Sequence, residues 1–465
     1  MTGSALIRAR QIVRAIRHGR LARQASWLLS GHATVQAIRL VVNVILARII
    51  APQLFGVMLL VNTMRTGIEL LSDVGIGQNV VRHRDGMTAD FLDTAWTMQA
   101  ARGALLMLAG LALAKPISWF YNDPLLGFVF AACSVMFLID GLFSPGRFVF
   151  QKDQRIRELA MFEIATAIAN AVLNVVVIWI FQTIWGLVAA LLLNGVVNLI
   201  ASFWFMPLRL LSLRIDQRYF KEILYFGKWI FLSSVVYFLS MNFDRLYLGT
   251  AIPLAALGIY GIARTLSDAL MLVANRVGTL MIFPKVANAH NEGVVLRPVI
   301  GPVRLRAMFL VAAGLAPLLA VSDLIIIVLY DQRYAAAAFI LPILLVGAWF
   351  SMLATLADAV LLGIGKPGST AAANAAKFIW MATAIPLALV HGSFTWALVA
   401  IAAADLVRYV LLTVANARHG LAFLRQDIAQ TALLAALVLV IRAVLTFAGL
   451  APGLAGWWAL GASLR

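Results

Sequence analysis

The sequence has few charged residues and a single cysteine. Charged residues make up 12% of its 465 residues, whereas a soluble domain has about 25% charged residues. Hydrophobic residues make up 63%, against about 45–50% apolar residues in a soluble domain. One buried core cannot hold so large an apolar excess, so most of the chain is predicted to lie in lipid. Because Cys133 stands alone, an intrachain disulfide and a metal site built from thiolates are excluded.

Acidic residues are scarce as well. The chain has 20 Asp and Glu against 37 Lys and Arg, a formal net charge of +17, which in a soluble protein would suggest a nucleic-acid partner. Here the connections on one side of the predicted membrane carry 23 Lys and Arg, and those on the other side carry only Lys115 and Arg333. The positive-inside rule therefore predicts a cytoplasmic N-terminus and accounts for the charge without nucleic acid.

Long apolar runs fill the rest of the chain, each with about the 20 residues that a membrane-spanning helix needs. The sequence predicts an all-α, polytopic integral membrane protein with 13–14 transmembrane helices. The predicted spans are 26–50, 57–81, 93–114, 125–145, 158–181, 185–206, 222–249, 256–283, 303–321, 336–363, 368–390, 394–415 and 428–448, with a short candidate at 450–464. Residues 1–25 are predicted to form a basic amphipathic helix on the cytoplasmic surface.

The second half of the chain repeats features of the first. The first hairpin reads LARIIAPQLFGVMLL, and the seventh and eighth spans meet at LYLGTAIPLAALGIYGIA. Pro52 with Gly56 and Pro253 with Gly258 hold matching places in these two external turns. Two six-helix bundles are therefore predicted as parallel repeats around a central cavity, an arrangement typical of alternating-access transporters. The predicted bundles occupy 26–216 and 217–427, and 428–465 supplies one or more additional C-terminal spans.

Five stretches resemble the Wzx-type oligosaccharide flippases, which share a superfamily with the lipid II flippases and the multidrug-and-toxin extruders. In the first half they are RLVVNVILARIIAPQLFGVMLL, LLSDVGIGQNVVRHRD and LDTAWTMQAARG. In the second half they are LYDQRYAAAAFILPILLVGAWF and LADAVLLGIGKPGSTAAANAAK. Together with the predicted topology, the resemblance covers roughly residues 25–430.

The resemblance implies a protein that flips undecaprenyl-diphosphate-linked oligosaccharide repeat units across the bacterial inner membrane, for lipopolysaccharide or exopolysaccharide biosynthesis. Its expected partners are the lipid-linked oligosaccharide and membrane lipids, with a polysaccharide polymerase or chain-length machinery as further candidates. A lipid II flippase or a drug/cation antiporter of the same superfamily stays open, although an antiporter would favour an acidic cavity. A membrane glycosyltransferase or O-antigen polymerase fits less well, because the external connections are short and no paired-carboxylate motif is present.

Several charged residues lie within the predicted spans. Charge at bilayer depth costs about 2.5–3.5 kcal/mol on insertion scales, so such side chains usually face water or a partner. Arg39 lies midway along the first span, with Asn43 one turn on. The second span carries Arg65, Glu69 and Asp73 at i, i+4 and i+8, a spacing that predicts one shared helical face.

The eighth span is the repeat counterpart of the second and carries Arg264 and Asp268 at i and i+4. Guanidinium groups suit phosphate because their donors form a planar fork, so the charge pattern and the resemblance together predict an Arg-lined cavity for a lipid diphosphate. The candidate substrate-binding residues are Arg39, Asn43, Arg65, Arg264 and Arg276, and the candidates for ion coupling or pairing are Glu69, Asp73 and Asp268. The competing interpretation is that both i, i+4 pairs are intrahelical ion pairs that lower the cost of insertion.

Other charges within the spans have structural interpretations. Asp244 and Arg245 lie near the external end of the seventh span and could form a gate or an interface pair. Asp405 and Arg408 are expected to pair with each other at i, i+3 in the twelfth span. Lys377 is expected to snorkel towards the cytoplasmic face, and the same is expected of Asp358.

No sequence motif points to catalysis or to a cofactor. The six histidines are scattered, and no cluster of His, Cys and carboxylates has metal-ligand spacing. GIGKPG has the letters of a dinucleotide-binding loop, but it joins two predicted membrane helices and follows no strand, so it is interpreted as a cytoplasmic turn. We therefore predict a transporter without metal or cofactor, and not an enzyme.

Overall fold

A computed structural model describes residues 20–205, 211–278 and 282–449 of the chain. The first nine helices, α1 to α9, are Arg20–Ile49, Pro52–Leu71, Ile76–Arg82, Ala89–Phe120, Pro124–Cys133, Val135–Gly141, Gly146–Lys152, Ile156–Ile180 and Ile184–Phe205. The next nine, α10 to α18, are Gln217–Ala251, Leu254–Val277, Phe283–Asn291, Leu296–Ala320, Ser322–Leu329, Ala337–Gly363, Pro367–His391, Phe394–Arg418 and Leu424–Phe447. No strand occurs within these ranges, so the predicted all-α class is confirmed.

The helices have the lengths that a membrane requires. Eleven segments of the described chain are long and apolar enough to cross a bilayer, with α5 and α6 counted as one span. Helices α10 and α11, with 35 and 24 residues, are also of spanning length but carry several charged side chains. The protein is a multi-pass membrane protein. Residues 1–19 and 450–465 lie outside the described residues, so the predicted surface helix and the fourteenth span stay predictions.

The second predicted span, 57–81, is wrong in its extent. Helix α2 begins at Pro52 and ends at Leu71, and a turn separates it from α3. Gly75 in this turn has φ +67°, a left-handed conformation that glycine adopts without a steric cost. The side chain of Asp73 accepts a hydrogen bond from the Gly75 N–H at 2.9 Å. Asp73 therefore lies beyond the end of the helix and does not share a helical face with Arg65 and Glu69.

The chain divides into two compact units. The first comprises the chain before Ile50 together with Leu71–Phe231, and the second comprises Ile50–Leu70 together with the chain after Phe231. Most of α2 thus belongs to the second unit. The bundle boundaries predicted from the sequence, 26–216 and 217–427, stay a prediction.

In the first unit, the longer helices pack side by side. Helix α1 packs on α8, α8 packs on α9, and α4 packs on both α5 and α6. Helices α4 and α6 approach closely at a glycine pair, where a Cβ added at Gly103 would stand 2.8 Å from the Cα of Gly141. Small residues allow such contacts between membrane helices, whose association depends on van der Waals packing.

Helix α15 is the core of the second unit. It packs against α11, α12, α13, α14, α16 and α17, and most of its side chains are buried because this 27-residue helix is almost entirely apolar. The indole N–H of its buried Trp349 donates to the hydroxyl of Thr431 on α18 at 3.0 Å. A helix that is apolar on every face is expected at the centre of a membrane bundle.

Helix α18 is joined to the second unit by two ion pairs, each with a buried carboxylate. Asp427, near its start, pairs with Arg304 on α13 and accepts a hydrogen bond from Tyr409 at 2.8 Å. Arg442, near its end, donates from both terminal nitrogens to Asp323, each at 2.7 Å. These contacts at both ends make the thirteenth predicted span an integral part of this unit.

Candidate functional site

Helices α2 and α11 cross at two glycines in the second unit. A Cβ added at Gly56 would stand 2.0 Å from the carbonyl oxygen of Leu254, and one added at Gly258 would stand 1.9 Å from the carbonyl oxygen of Pro52. Each glycine therefore packs directly on the backbone at the start of the other helix. The two features that the sequence places at matching positions of its halves are in contact with each other.

A tyrosine lies over the chain just before this crossing. Tyr334, in the short 3₁₀ helix Gln332–Tyr334, is fully buried and donates its hydroxyl to the carbonyl oxygen of Ile50 at 2.9 Å. Its ring meets that of Phe55 edge-on, with 5.9 Å between the centroids. Burial raises the pKa of Tyr334, so the phenol stays protonated and keeps its hydrogen bond. We call Ile50, Gly56, Gly258 and Tyr334 the glycine gate.

Four charged residues and a tyrosine converge between α10 and α11. The Nε of Arg264 lies 3.2 Å from Oδ1 of Asp268, one turn along α11, and 3.8 Å from Oδ2 of Asp244 on α10. Arg245 also pairs with Asp268, and the hydroxyl of Tyr260 donates to Asp244. Each carboxylate thus contacts more than one donor. We call these five residues the arginine cluster.

The two carboxylates of the arginine cluster differ in exposure. The side chain of Asp244 is 1% exposed, whereas that of Asp268 is 41% exposed. A carboxylate within a span is too costly to leave facing lipid, so the exposed side of Asp268 must face water. The Nε atoms of Arg245 and Arg264 are buried and have no hydrogen-bond acceptor among the described residues. The cluster therefore holds two largely buried guanidinium groups beside a partly exposed carboxylate.

The predicted pair on α2 is formed. The Nη1 of Arg65 lies 3.2 Å from Oε1 of Glu69, with 19% and 33% of the two side chains exposed. Arg65–Glu69 and Arg264–Asp268 are both ion pairs along one helix, as the i, i+4 spacing requires. In both pairs the carboxylate side chain is partly exposed, so the pairing and the contact with water are compatible.

The remaining candidates lie elsewhere. Arg39 belongs to the first unit, is exposed, and donates to the side chain of Gln36 at 3.4 Å. No carboxylate within the described ranges lies at ion-pair distance from Arg39. Asn43, one turn on, is half-buried. Arg276 belongs to α11, but its side chain lies outside the described part of the structure.

Two ionic contacts in the second unit differ from those expected. Asp405 pairs with Lys377 at 2.6 Å, and Arg408 pairs with Asp358 at 3.1 Å and donates to Asn374 at 2.8 Å. The predicted Asp405–Arg408 pair is therefore wrong. Lys377 and Asp358 are also not snorkelling, because Lys377 is buried and the half-buried Asp358 is paired with Arg408 on α17.

The sequence contained a signal for the Lys377 pairing. Lys377 and Asp405 lie at similar distances before and after the turn at Gly392, so an antiparallel pair of helices brings them to the same depth. Across 20–205, 211–278 and 282–449, no group of three or more His, Cys, Asp or Glu side chains converges as a metal site.

Comparison with known families shows which family the chain belongs to. Residues 45–339, more than half of the chain, match the family described as polysaccharide biosynthesis protein. The chain belongs to this family. The matched region includes both helices of the glycine gate and the whole arginine cluster.

Individual relatives are distant. The chain is 24% identical to the teichuronic acid biosynthesis protein TuaB of Bacillus subtilis (strain 168) over 64% of this chain and 62% of that protein. It is 22% identical to the lipopolysaccharide biosynthesis protein WzxC of Escherichia coli (strain K12) over 59% and 56%. In both cases the match spans less than two thirds of the relative's own length.

The fold is similar to that of a solved flippase. The structure titled lipid II flippase MurJ, inward closed conformation, matches with a TM-score of 0.74 over 93% of this chain and 95% of that chain. At 11% identity this likeness shows a common fold and does not identify what is transported.

Proposed function

We propose that this protein flips undecaprenyl-diphosphate-linked oligosaccharide repeat units across the bacterial inner membrane by alternating access, with its N-terminus in the cytoplasm. Membership of the polysaccharide biosynthesis family supports the substrate class, and the MurJ-like fold supports transport. The distribution of Lys and Arg supports the orientation. The arginine cluster is the observation that carries the proposal, because two of its guanidinium groups lie beside a partly exposed carboxylate within the spans.

The arginine cluster suits a diphosphate because a diphosphate can replace the carboxylate of Asp268 as the partner of its arginines. Asp268 is held by Arg245 and Arg264, yet 41% of its side chain is exposed. A diphosphate carries more charge than one carboxylate and presents several acceptor oxygens to the planar guanidinium groups. On this proposal Arg245 and Arg264 bind the lipid diphosphate in place of Asp268, and they pair with Asp268 again when the substrate leaves.

The other candidate residues are proposed to contact the same substrate. Arg65 with Glu69 on α2 repeats the arrangement of a guanidinium beside a half-exposed carboxylate. Arg39 has no ion-pair partner within the described chain, so it is available to an incoming anion without first releasing a carboxylate. Asn43 and Arg276 are proposed as further contacts to the diphosphate or the sugar. On this proposal the contact between α2 and α11 at the glycine gate is present when the external side is closed and is broken when that side opens.

The experiment measures polysaccharide export and membrane protein level together. Arg264→Ala should abolish export at a normal protein level, and Arg39→Ala should do the same. Arg264→Lys should restore export only in part, since an ammonium keeps the charge but loses the fork. Arg418→Ala, an exposed arginine at the end of α17, is the matched control and should export normally. Normal export from Arg264→Ala would refute the role of the cluster.

The substrate class requires a second measurement. Purified protein in liposomes should translocate a fluorescent polyprenyl-diphosphate sugar lipid, and the Arg264→Ala protein should not. A drug/cation antiporter would instead accumulate an organic cation in exchange for an ion, and this activity would survive Arg264→Ala. Cation uptake without lipid translocation would overturn the proposed function.

A further inference from the structure

A cavity lies where two helices of the second unit begin. It has a volume of about 380 Å³ and is formed by the starts of α13 and α18 with the residues just before α18. Its lining combines the guanidinium groups of Arg297 and Arg425 with the apolar side chains of Phe423 and Leu305. None of these residues belongs to the arginine cluster or the glycine gate.

The two arginines at this cavity lack acidic partners. Arg297 and Arg425 are both exposed, and no carboxylate of the described residues lies within ion-pair distance of either. About two turns further along α13, Arg304 is buried and forms an ion pair with Asp427. Asp427 is thus already paired, and the cavity mouth carries two arginines without an ion-pair partner among the described residues.

The aromatic ring of Phe423 orients the basic side of the cavity. The guanidinium carbon of Arg297 lies 6.0 Å from the ring centroid, and that of Arg304 lies 5.3 Å from it. The ring of Phe423 therefore lies within cation–π distance of both guanidinium groups. Two helix N-termini, at Leu296 and Leu424, also point their partial positive charge towards the same region.

The other side of the cavity is apolar and leads into the span. Leu305 lies more than two turns beyond Arg297 on α13, and 38% of its surface is exposed. The Oε1 of Gln426, another lining residue, is buried and has no hydrogen-bond donor in the described part of the chain. The lining of the cavity therefore combines two cations, one acceptor without a donor among the described residues and an apolar wall.

We propose that this cavity binds an anionic glycerophospholipid of the surrounding leaflet. The phosphodiester lies between Arg297 and Arg425, a headgroup hydroxyl donates to Gln426, and an acyl chain follows Leu305. Guanidinium groups recognise phosphate through paired N–H donors, and basic pockets between membrane helices on the cytoplasmic side bind acidic headgroups. The apolar wall selects a lipid over a soluble phosphate, because a small anion leaves that wall without a partner. The bound lipid stabilises the junction of α13 with α18 and is not itself transported.

The test is lipid binding by the purified full-length protein, measured by native mass spectrometry. Phosphatidylglycerol should bind more tightly than phosphatidylcholine, and inorganic phosphate should not displace it. Arg297→Gln/Arg425→Gln should weaken phosphatidylglycerol binding by roughly 10- to 30-fold, from two basic contacts at the membrane surface. The control is Arg306→Gln, which removes the same charge from an exposed arginine of α13 that does not line the cavity.

Three results would overturn the proposal. Unchanged binding in the double variant would remove the two arginines from any lipid site. An equal loss in Arg306→Gln would reduce the effect to the general positive charge of this surface. Displacement of the lipid by inorganic phosphate would indicate a soluble-anion site. If the double variant unfolds, Arg425→Gln alone should weaken binding, and wild-type competition by phosphate remains decisive. Export by the Arg264 variants is a separate readout, so failure here leaves the proposed function intact.

Discussion

The glycine gate permits a sharp prediction, because its two contacts leave no space for a methyl group. In Gly258→Ala the new Cβ would stand 1.9 Å from the Pro52 carbonyl oxygen, and real Cβ contacts essentially never fall under 3.0 Å. The helices must therefore separate by at least 1.1 Å, the difference between these distances. The neighbouring atom belongs to the backbone, so no side-chain rotation relieves the clash.

On the proposed mechanism, the cost of this separation falls on the conformation in which α2 and α11 are in contact. Overpacking of this kind costs about 1–3 kcal/mol, which corresponds to a 5- to 150-fold shift between two conformations. We expect Gly258→Ala to lower export at least fivefold at a normal protein level. In a Cys133→Ser background, a cysteine at Leu59, which packs on Gly261 of α11, should label faster with an impermeant maleimide when the substitution is present.

The chain supplies a graded series of controls for this experiment. Gly314→Ala adds the same methyl group to α13, where no atom lies within 4 Å, and should change neither export nor labelling. Gly261→Ala meets only the end of the Leu59 side chain at 2.9 Å and should have a smaller effect. Wild-type export and unchanged labelling of the Leu59 cysteine in Gly258→Ala would refute the gate.

Three further predictions follow from the structure. Single cysteines at Gln53 and Gln332 should label from outside intact spheroplasts and one at Gln154 only after lysis; external labelling at Gln154 would contradict the topology. Arg65→Ala/Glu69→Ala should be expressed well but remain inactive if Arg65 contacts the diphosphate, whereas wild-type export from it would make the pair purely structural. Lys377→Met leaves the buried Asp405 unpaired and should destabilise the protein by about 3–5 kcal/mol. In a detergent melting assay, Lys377→Met/Asp405→Leu should recover most of this lost stability. An equal loss of stability in the single and the double variant would refute the pairing.

Local spacing was sufficient for two features of the candidate site. Arg65–Glu69 and Arg264–Asp268 form as predicted because residues four apart on one helix always face each other. The same argument was wrong for Asp73, since the helix ends at Leu71 and the Asp73 side chain accepts a hydrogen bond from the Gly75 N–H in the following turn. A prediction from helical spacing holds only while the helix continues, and here a turn interrupts the apolar run after Leu71.

The sequence by itself determined the all-α class and most of the spans, because both depend on composition and length. It also identified the matching turns at Pro52 and Pro253, although not that their helices touch. The tertiary structure decided that Gly56 and Gly258 pack against each other's helix, that Arg245 and Asp244 join Arg264, and that Lys377 pairs with Asp405. These contacts join residues on different helices, and their formation depends on which helix faces pack together. Hydrophobic periodicity cannot specify that choice, since in lipid nearly every face of a helix is apolar.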